Sequence, residues 1–150
     1  MRVVIALVSL VLSMNALSET YDDGMRRNIQ IMAAQMPMRA DRYHTYTSVL
    51  LLGKSVTYGV IFDIETELAD EARAEGTTVQ AIKQNGIKIY GNYQNWLNAY
   101  AQIKLGMVAK SLCTNPQSLA ILQHGYSMDY KYYDENGGFL FPLSVGLASC

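Results

Sequence analysis

The sequence is poor in the residue types from which most catalytic and metal sites are built. Its 150 residues include two histidines, two cysteines and one tryptophan. The spacings typical of zinc sites, phosphate-binding loops, dinucleotide-binding turns and serine-hydrolase elbows are absent. Charged residues make up 17% of the chain, without a long run of Lys or Arg, and the formal net charge is −1. These absences argue against the common enzyme classes and against a nucleic-acid partner, and no cofactor is expected.

The N-terminus has the pattern of a secretory signal peptide. Arg2 supplies a positive start, residues 3–12 form an apolar run, and small residues follow. We therefore predict a signal peptide over residues 1–18, cleaved after Ser18. Cleavage after Ala16 is the alternative.

The apolar run is too short to anchor the chain in a membrane. A spanning helix needs about 20 apolar residues, roughly twice the length of this run. No cysteine lies directly after it, as the attachment site of a bacterial lipoprotein would require. The length of the remainder predicts one domain, residues 19–150. We expect this domain to be periplasmic or secreted, with no membrane anchor after cleavage.

Two cysteines in an exported chain predict one disulfide, between Cys113 and Cys150. Closing the loop between them would stabilise the fold by about 4 kcal/mol in the chain-entropy treatment. Two free buried thiols are the alternative if the chain is not exported. The absence of an Asn-X-Ser/Thr sequon fits a bacterial periplasmic protein.

Residues 92–113 form the longest amphipathic segment. Apolar residues recur there in steps of three and four, which predicts a helix with one broad apolar stripe. The opposite side, which includes Lys104, is predicted to face water. The stripe consists of Tyr93, Trp96, Leu97, Tyr100, Ile103, Met107, Val108 and Leu112.

Two hairpins are predicted from runs of β-branched and aromatic residues that flank turn signals. Their strands are residues 43–52, 56–64, 126–133 and 139–150. In the first hairpin Gly53 begins the turn, and the resulting register places His44 opposite Asp63. It also leaves Tyr46 on the partly wet face of the sheet.

Helices are predicted before the first hairpin and between the two hairpins. The segments are residues 19–36, 77–85, 92–113 and 116–124, with residues 65–76 either a short exposed helix or an ordered loop. The first of them carries a Met-rich stripe that favours core packing over a binding face. We predict an α+β domain in which an antiparallel sheet of two hairpins packs against helices, in the order α-β-β-α-α-α-β-β.

Few polar residues come together in a pattern that favours chemistry. His44 opposite Asp63 would be an imidazole oriented by a carboxylate, but no nucleophile is placed beside it, so a cross-strand ion pair is favoured. His124, just before Gly125, favours a structural role at a helix C-terminus. The acidic segment 63–75 lacks the pattern of a calcium loop and is typical of a solvated helix face. We predict no catalytic residue and no metal site.

Tyrosine is the most suggestive residue type, with eleven in the chain. Tyrosine is enriched in contact surfaces because it offers a large rigid area with a polar tip. The alternative is that these residues only fill a half-buried sheet. The candidate partner-binding residues are Tyr46, Tyr126, Tyr130, Tyr132 and Tyr133.

The order of structural residues resembles that of small exported bacterial proteins with a single disulfide. The C-terminal half shares with them Cys113, Pro116, Leu119-Ala120-Ile121-Leu122, Gly125, Tyr130, Asp134, Gly137-Gly138 and Cys150. The N-terminal half shares Pro37, Asp41 and Gly53. The resemblance supports the disulfide and the topology, and it implies no active site.

The sequence therefore predicts an exported, non-catalytic protein that binds another protein. The partner would be a toxin, which this chain neutralises as an immunity or inhibitor protein, or a component of an envelope or secretion system. A homodimer is a further option. The alternative function is the binding of a small amphiphile in an apolar pocket between the first helix, the Trp96 helix and the sheet.

Overall fold

The computed structural model describes residues 20–150. The predicted signal peptide, residues 1–18, lies outside the described residues and stays a prediction. The helices are α1 (Tyr21–Ala33), α2 (Ile64–Glu75), α3 (Val79–Tyr90), α4 (Tyr93–Thr114) and α5 (Pro116–Gln123). The strands are β1 (Met38–Arg39), β2 (His44–Leu52), β3 (Ser55–Phe62), β4 (Ser127–Tyr133) and β5 (Phe139–Val145). A 3₁₀ turn, Leu147–Ser149, follows β5.

The strands form one five-stranded sheet in the order β1-β2-β3-β4-β5. The α+β class and both hairpins are confirmed, but the sheet is mixed, because β3 and β4 are parallel. The prediction of a purely antiparallel sheet was therefore wrong. Four helices connect β3 to β4, and a connection of that length lets the chain cross over and enter the sheet in the same direction. The predicted order also lacked the short β1 and counted one helix too few.

The first hairpin has the predicted turn but not the predicted register throughout. Val49 pairs with Tyr58 as expected, and then the register shifts between Tyr46 and Ser48. A bulge of this kind adds one residue to one strand, and a one-residue shift moves the following side chains to the other face. His44 consequently pairs with Phe62 rather than Asp63.

One face of the sheet forms the core of the domain. Helix α1 packs against β2, and α4 packs against β5. The Met-rich stripe of α1 is buried as predicted, through Met25, Ile29 and Met32. The innermost sheet residues are Val49, Val56, Val60, Phe62, Met128, Phe141 and Val145. Within residues 20–150 no helix has the length and apolar character needed to cross a bilayer.

The segment that the sequence left open between helix and loop forms α2. Asp63 caps it by accepting a hydrogen bond from the Thr66 backbone N–H at 2.9 Å, a common role for Asp at that position. This is what Asp63 does in place of the predicted contact with His44. Leu68 and Ala72 anchor the helix in the core, as predicted.

Gly86 does not end a helix, although Asn85-Gly86 predicts a stop. Helix α3 continues through it to Tyr90. A Cβ atom on Gly86 would lie 2.3 Å from Cδ1 of Trp96, which is too close for any side chain. The glycine is therefore explained by the close packing of α3 against α4 rather than by a turn.

The predicted disulfide is present. Cys113 near the end of α4 is bonded to Cys150, with Cα atoms 5.5 Å apart. The bond ties the last residues of the chain to the longest helix. A disulfide of this kind fits an oxidising compartment.

Candidate functional site

Four of the five tyrosines predicted to form a contact surface are buried in the core. Tyr46, Tyr126, Tyr130 and Tyr132 expose between 2% and 7% of their surface, so their expected exposure was wrong. For Tyr46 the reason is the bulge in β2, which turns its side chain to the inner face. Tyr133 is half-buried and contacts Phe139 edge to face. The structure brings Tyr46, Tyr130 and Tyr132 together, but inside the molecule.

Tyr126 lies apart from that group, at the N-terminus of α1. Its hydroxyl donates a hydrogen bond to Asp22 at 2.6 Å, and Lys54 lies over its ring. His124 is close by, stacked on Tyr21 and hydrogen-bonded through Nδ1 to the Ala120 carbonyl. These contacts support the structural role predicted for His124.

Lys104 lies on the side of α4 that was predicted to face water, but its side chain is buried. Lys104 exposes only 9% of its surface, so its predicted exposure was wrong. Its Nζ contacts both carboxylate oxygens of Glu67 on α2, at 2.6 and 2.7 Å. Glu67 also accepts a hydrogen bond from the Tyr100 hydroxyl at 2.7 Å. The pair is nearly sealed, so each charge depends on the other for its solvation.

Part of the predicted apolar stripe faces solvent instead. Ile103 is 63% exposed, and Met107 and Tyr93 are also exposed. On α3, Tyr90 and Ile89 are exposed as well. Helix α4 packs against β5 and against α3, and its Tyr100 and Lys104 contact Glu67 on α2. A single stripe therefore does not describe its buried surface.

Tyr90, Ile103 and Met107 border a surface groove, which we call the α2–α4 groove. It has a volume of about 480 Å³ and lies between α2, α3 and α4. Trp96 and Tyr100 contribute aromatic surface to it. The exposed apolar side chains at its margin make it a candidate contact site, since such patches on small proteins often mark interfaces.

The α2 side of this groove is acidic. Glu67, Asp70 and Glu71 all line it. Glu67 is paired with Lys104, and Asp70 accepts from Arg42, Arg73 and Tyr43. Glu71 is exposed and has no hydrogen-bond or ion-pair partner among residues 20–150. Its pKa is raised, first by partial burial and then by the neighbouring carboxylates.

A second cavity of about 230 Å³ adjoins the groove, and we call it the tyrosine cavity. It lies between α4, the inner face of the sheet and the loop between β1 and β2. Tyr43, Glu67, Lys104 and Met107 line both spaces. The sequence predicted a pocket between α1, α4 and the sheet. No residue of α1 lines this cavity, which instead extends to the loop between β1 and β2.

His44 lies at this cavity and is held by Asp41. Its Nδ1 is 2.9 Å from both carboxylate oxygens of Asp41, and its ring stacks on Phe62. Asp41 also accepts from the backbone N–H groups of Tyr43 and His44. The prediction that His44 pairs with Asp63 was therefore wrong, and its partner is Asp41, three residues earlier in the chain.

Burial lowers the pKa of His44 from its ordinary value of 6.5, although Asp41 opposes that shift. The unfolded chain therefore binds this proton more tightly than the folded one. We expect the free energy of unfolding to fall as the pH drops from 7.5 through about 6.5 toward 5. Urea denaturation at several pH values measures it. His44→Phe should flatten the profile, whereas equal slopes for His44→Phe and the unsubstituted protein would contradict the assignment.

The described residues offer no evident site for a metal ion. Within residues 20–150, no three His, Cys, Asp or Glu side chains come close enough together to hold one. The acidic residues of α2 are spread along a helix face, and those nearest the core are engaged by Lys104 and Arg42.

No protein-family model matches the sequence, and no curated protein matches it. Among solved structures, the chain is similar to the pilotin EpsS from the type 2 secretion system of Vibrio vulnificus. The TM-score is 0.53, with 14% identity, covering 83% of this chain and 86% of that chain. It is also similar to a candidate secreted protein of Pseudomonas aeruginosa, with a TM-score of 0.50 and 9% identity, covering 89% of this chain and 99% of that chain.

A further similarity, to the type II secretion pilotin AspS of Vibrio cholerae, has a TM-score of 0.47 and 14% identity. At such low identities these likenesses concern the fold alone. The first two show that the fold of this chain resembles those of a secretion-system pilotin and of a candidate secreted protein.

Proposed function

We propose that this protein is exported and acts as a non-catalytic accessory protein of the bacterial envelope, where it binds another protein through the α2–α4 groove. The observation that carries the proposal is the groove itself, a concave site with exposed apolar side chains at its margin. The fold shared with a secretion-system pilotin supports an envelope or secretion role over the neutralisation of a toxin.

The chemistry of the groove indicates what kind of segment it would bind. Its apolar surface suits the apolar face of an amphipathic segment. The carboxylate of Glu71, exposed and without a described partner, suits a Lys or Arg at the edge of that segment. We therefore infer a partner segment with an apolar face and flanking basic residues. Salt should weaken the complex, because part of the attraction is between exposed charges.

The test is affinity capture from periplasmic extract, with crosslinking, followed by titration of the recovered partner. Ile103→Glu should weaken binding at least tenfold, because it places a charge on the apolar margin of the groove. Since Ile103 is 63% exposed, the change should leave stability within about 0.5 kcal/mol of the unsubstituted protein.

Leu50→Glu is the matched control, since Leu50 is also highly exposed but lies on β2, away from the groove. It should leave binding unchanged. Glu71→Gln should reduce the salt dependence. Recovery of no stoichiometric partner, or equal loss of binding in the two Glu variants, would count against the groove as the binding site.

A further inference from the structure

The two walls of the tyrosine cavity differ in chemistry. Helix α4 contributes the aliphatic side chains of Met107, Val108 and Leu112. The sheet contributes Tyr46, Tyr130 and Tyr132, whose rings contact one another edge to face or at a tilt. Lys104 and Ser111 of α4 line it as well. The α4 wall is therefore mainly aliphatic, whereas the sheet wall pairs aromatic surface with hydroxyl groups.

Two of these hydroxyl groups have no partner in the fold. Tyr46 and Tyr132 are 7% and 5% exposed, and neither hydroxyl makes a hydrogen bond within residues 20–150. Every fully sealed side-chain nitrogen or oxygen in that range does have a partner. The two hydroxyls therefore border accessible space, and the space that their residues line is this cavity. A bound group that hydrogen-bonds to both would supply the partner that most nearly buried polar groups have.

The charged groups around the cavity already have partners in the fold. Lys104 contacts Glu67, and Asp41 accepts hydrogen bonds from two backbone N–H groups and contacts the His44 ring. Arg42 at the mouth contacts Asp70. A charged ligand would have to break one of these pairs or leave its own charge unpaired, so the cavity favours an uncharged ligand.

The volume limits the ligand to about one substituted ring. Cavities of about 150 Å³ lined by apolar side chains bind benzene, and pockets for drug-sized molecules start at about 300 Å³. At about 230 Å³ the tyrosine cavity lies between these values. Its aromatic wall provides the edge-to-face contacts that another aromatic ring prefers.

We propose that the tyrosine cavity binds an uncharged aromatic ring bearing a hydroxyl group, with that hydroxyl bonded to Tyr46 and Tyr132. The ring packs between the tyrosines and the aliphatic wall of α4. Such a phenol is either a free small molecule or the tyrosine side chain of a protein seated in the adjoining α2–α4 groove. The second source rests on the proposed function, and the first does not.

The experiment is a titration of the purified protein with p-cresol, followed by NMR of the methyl groups of Met107, Val108 and Leu112. We expect saturable shifts of these signals. Toluene, which lacks the hydroxyl, serves as the apolar reference. In the Tyr46→Phe/Tyr132→Phe variant, the Kd for p-cresol should rise about tenfold, the effect of losing one or two net hydrogen bonds. The Kd for toluene should change less than twofold.

Tyr58→Phe is the matched control. Tyr58 is 8% exposed and stacks on Tyr130, but it does not line the cavity, so its variant should bind p-cresol like the unsubstituted protein. Single Tyr46→Phe and Tyr132→Phe variants repeat the test if the double variant unfolds. The proposal is overturned if p-cresol gives no saturable shift, or if the Phe variants bind it as tightly as the unsubstituted protein.

A blocked tripeptide, acetyl-Ala-Tyr-Ala-amide, distinguishes the two sources. Displacement of p-cresol by this peptide supports a tyrosine supplied by a partner protein. Binding of p-cresol without displacement supports a free phenol. Because neither measurement uses the partner captured from extract, failure of the phenol site would leave the groove proposal intact, and failure of the groove proposal would leave the phenol site.

Discussion

Replacing Lys104 by alanine should destabilise the protein by about 3–5 kcal/mol, the usual cost of removing one member of a buried ion pair. Glu67 would keep the Tyr100 hydroxyl as a hydrogen-bond donor but lose the cation that contacts both of its oxygens. The ammonium group also lies 4.9 Å from the centre of the Phe62 ring, so a cation–π contact is lost as well. Urea denaturation followed by Trp96 fluorescence measures the change.

Lys110→Ala is the control for this prediction, because Lys110 lies on the same helix and is exposed. It should change stability by less than about 0.5 kcal/mol. The double variant Lys104→Met/Glu67→Gln should recover most of the loss, since replacing both members leaves no uncompensated charge. If Lys104→Ala unfolds at the same urea concentration as Lys110→Ala, the Lys104–Glu67 pair does not contribute to stability.

Removing the disulfide should destabilise the protein by about 4 kcal/mol, since the unfolded chain then regains the freedom of the loop between Cys113 and Cys150. These residues are 37 positions apart in sequence. The Cys113→Ala/Cys150→Ala variant and the reduced protein should unfold at similar, lower urea concentrations. Denaturation with and without reductant measures both.

The double-alanine variant is its own control, because reductant should have no further effect on it. Equal midpoints for the oxidised protein and the variant would show that the bond adds nothing to stability. Intact mass measurement of native material tests the compartment as well: an uncleaved Met1 with two alkylatable thiols would contradict export, on which the proposed function depends.

Local sequence signals predicted the parts of the fold that depend on neighbouring residues. Asn92 caps α4, which begins within one residue of its predicted start, Asn115 caps α5, and Gly53 lies in the predicted hairpin turn. These features follow from backbone groups within a few residues of one another, which the sequence shows directly. The disulfide was predictable because only one pairing of two cysteines exists.

The candidate site was predicted much less well, since it depends on contacts between distant elements. Nothing near Lys104 in sequence indicates that Glu67 will meet it inside the protein. Likewise, the sequence of β2 does not reveal the bulge that turns Tyr46 inward. The alternation of side chains along one strand does not show where its pairing with the next strand shifts by one residue. The exposed Ile103 was assigned to the core for a similar reason, as periodicity assumes that one face of a helix is covered.

The sequence by itself determined the type of the longest helix and of the four hairpin strands, the turn of the first hairpin and the one possible disulfide. The physical reason is that side chains act there on their own backbone or on residues three or four positions away. Only the tertiary structure decided that β3 and β4 run parallel and that three tyrosines line one cavity. It also decided that Lys104, outside the apolar stripe of α4, is buried while Ile103 within the stripe is exposed. Those outcomes depend on which surfaces are buried together when segments far apart in the chain pack. The free energy of that burial depends on both surfaces, so neither segment's sequence reveals it alone.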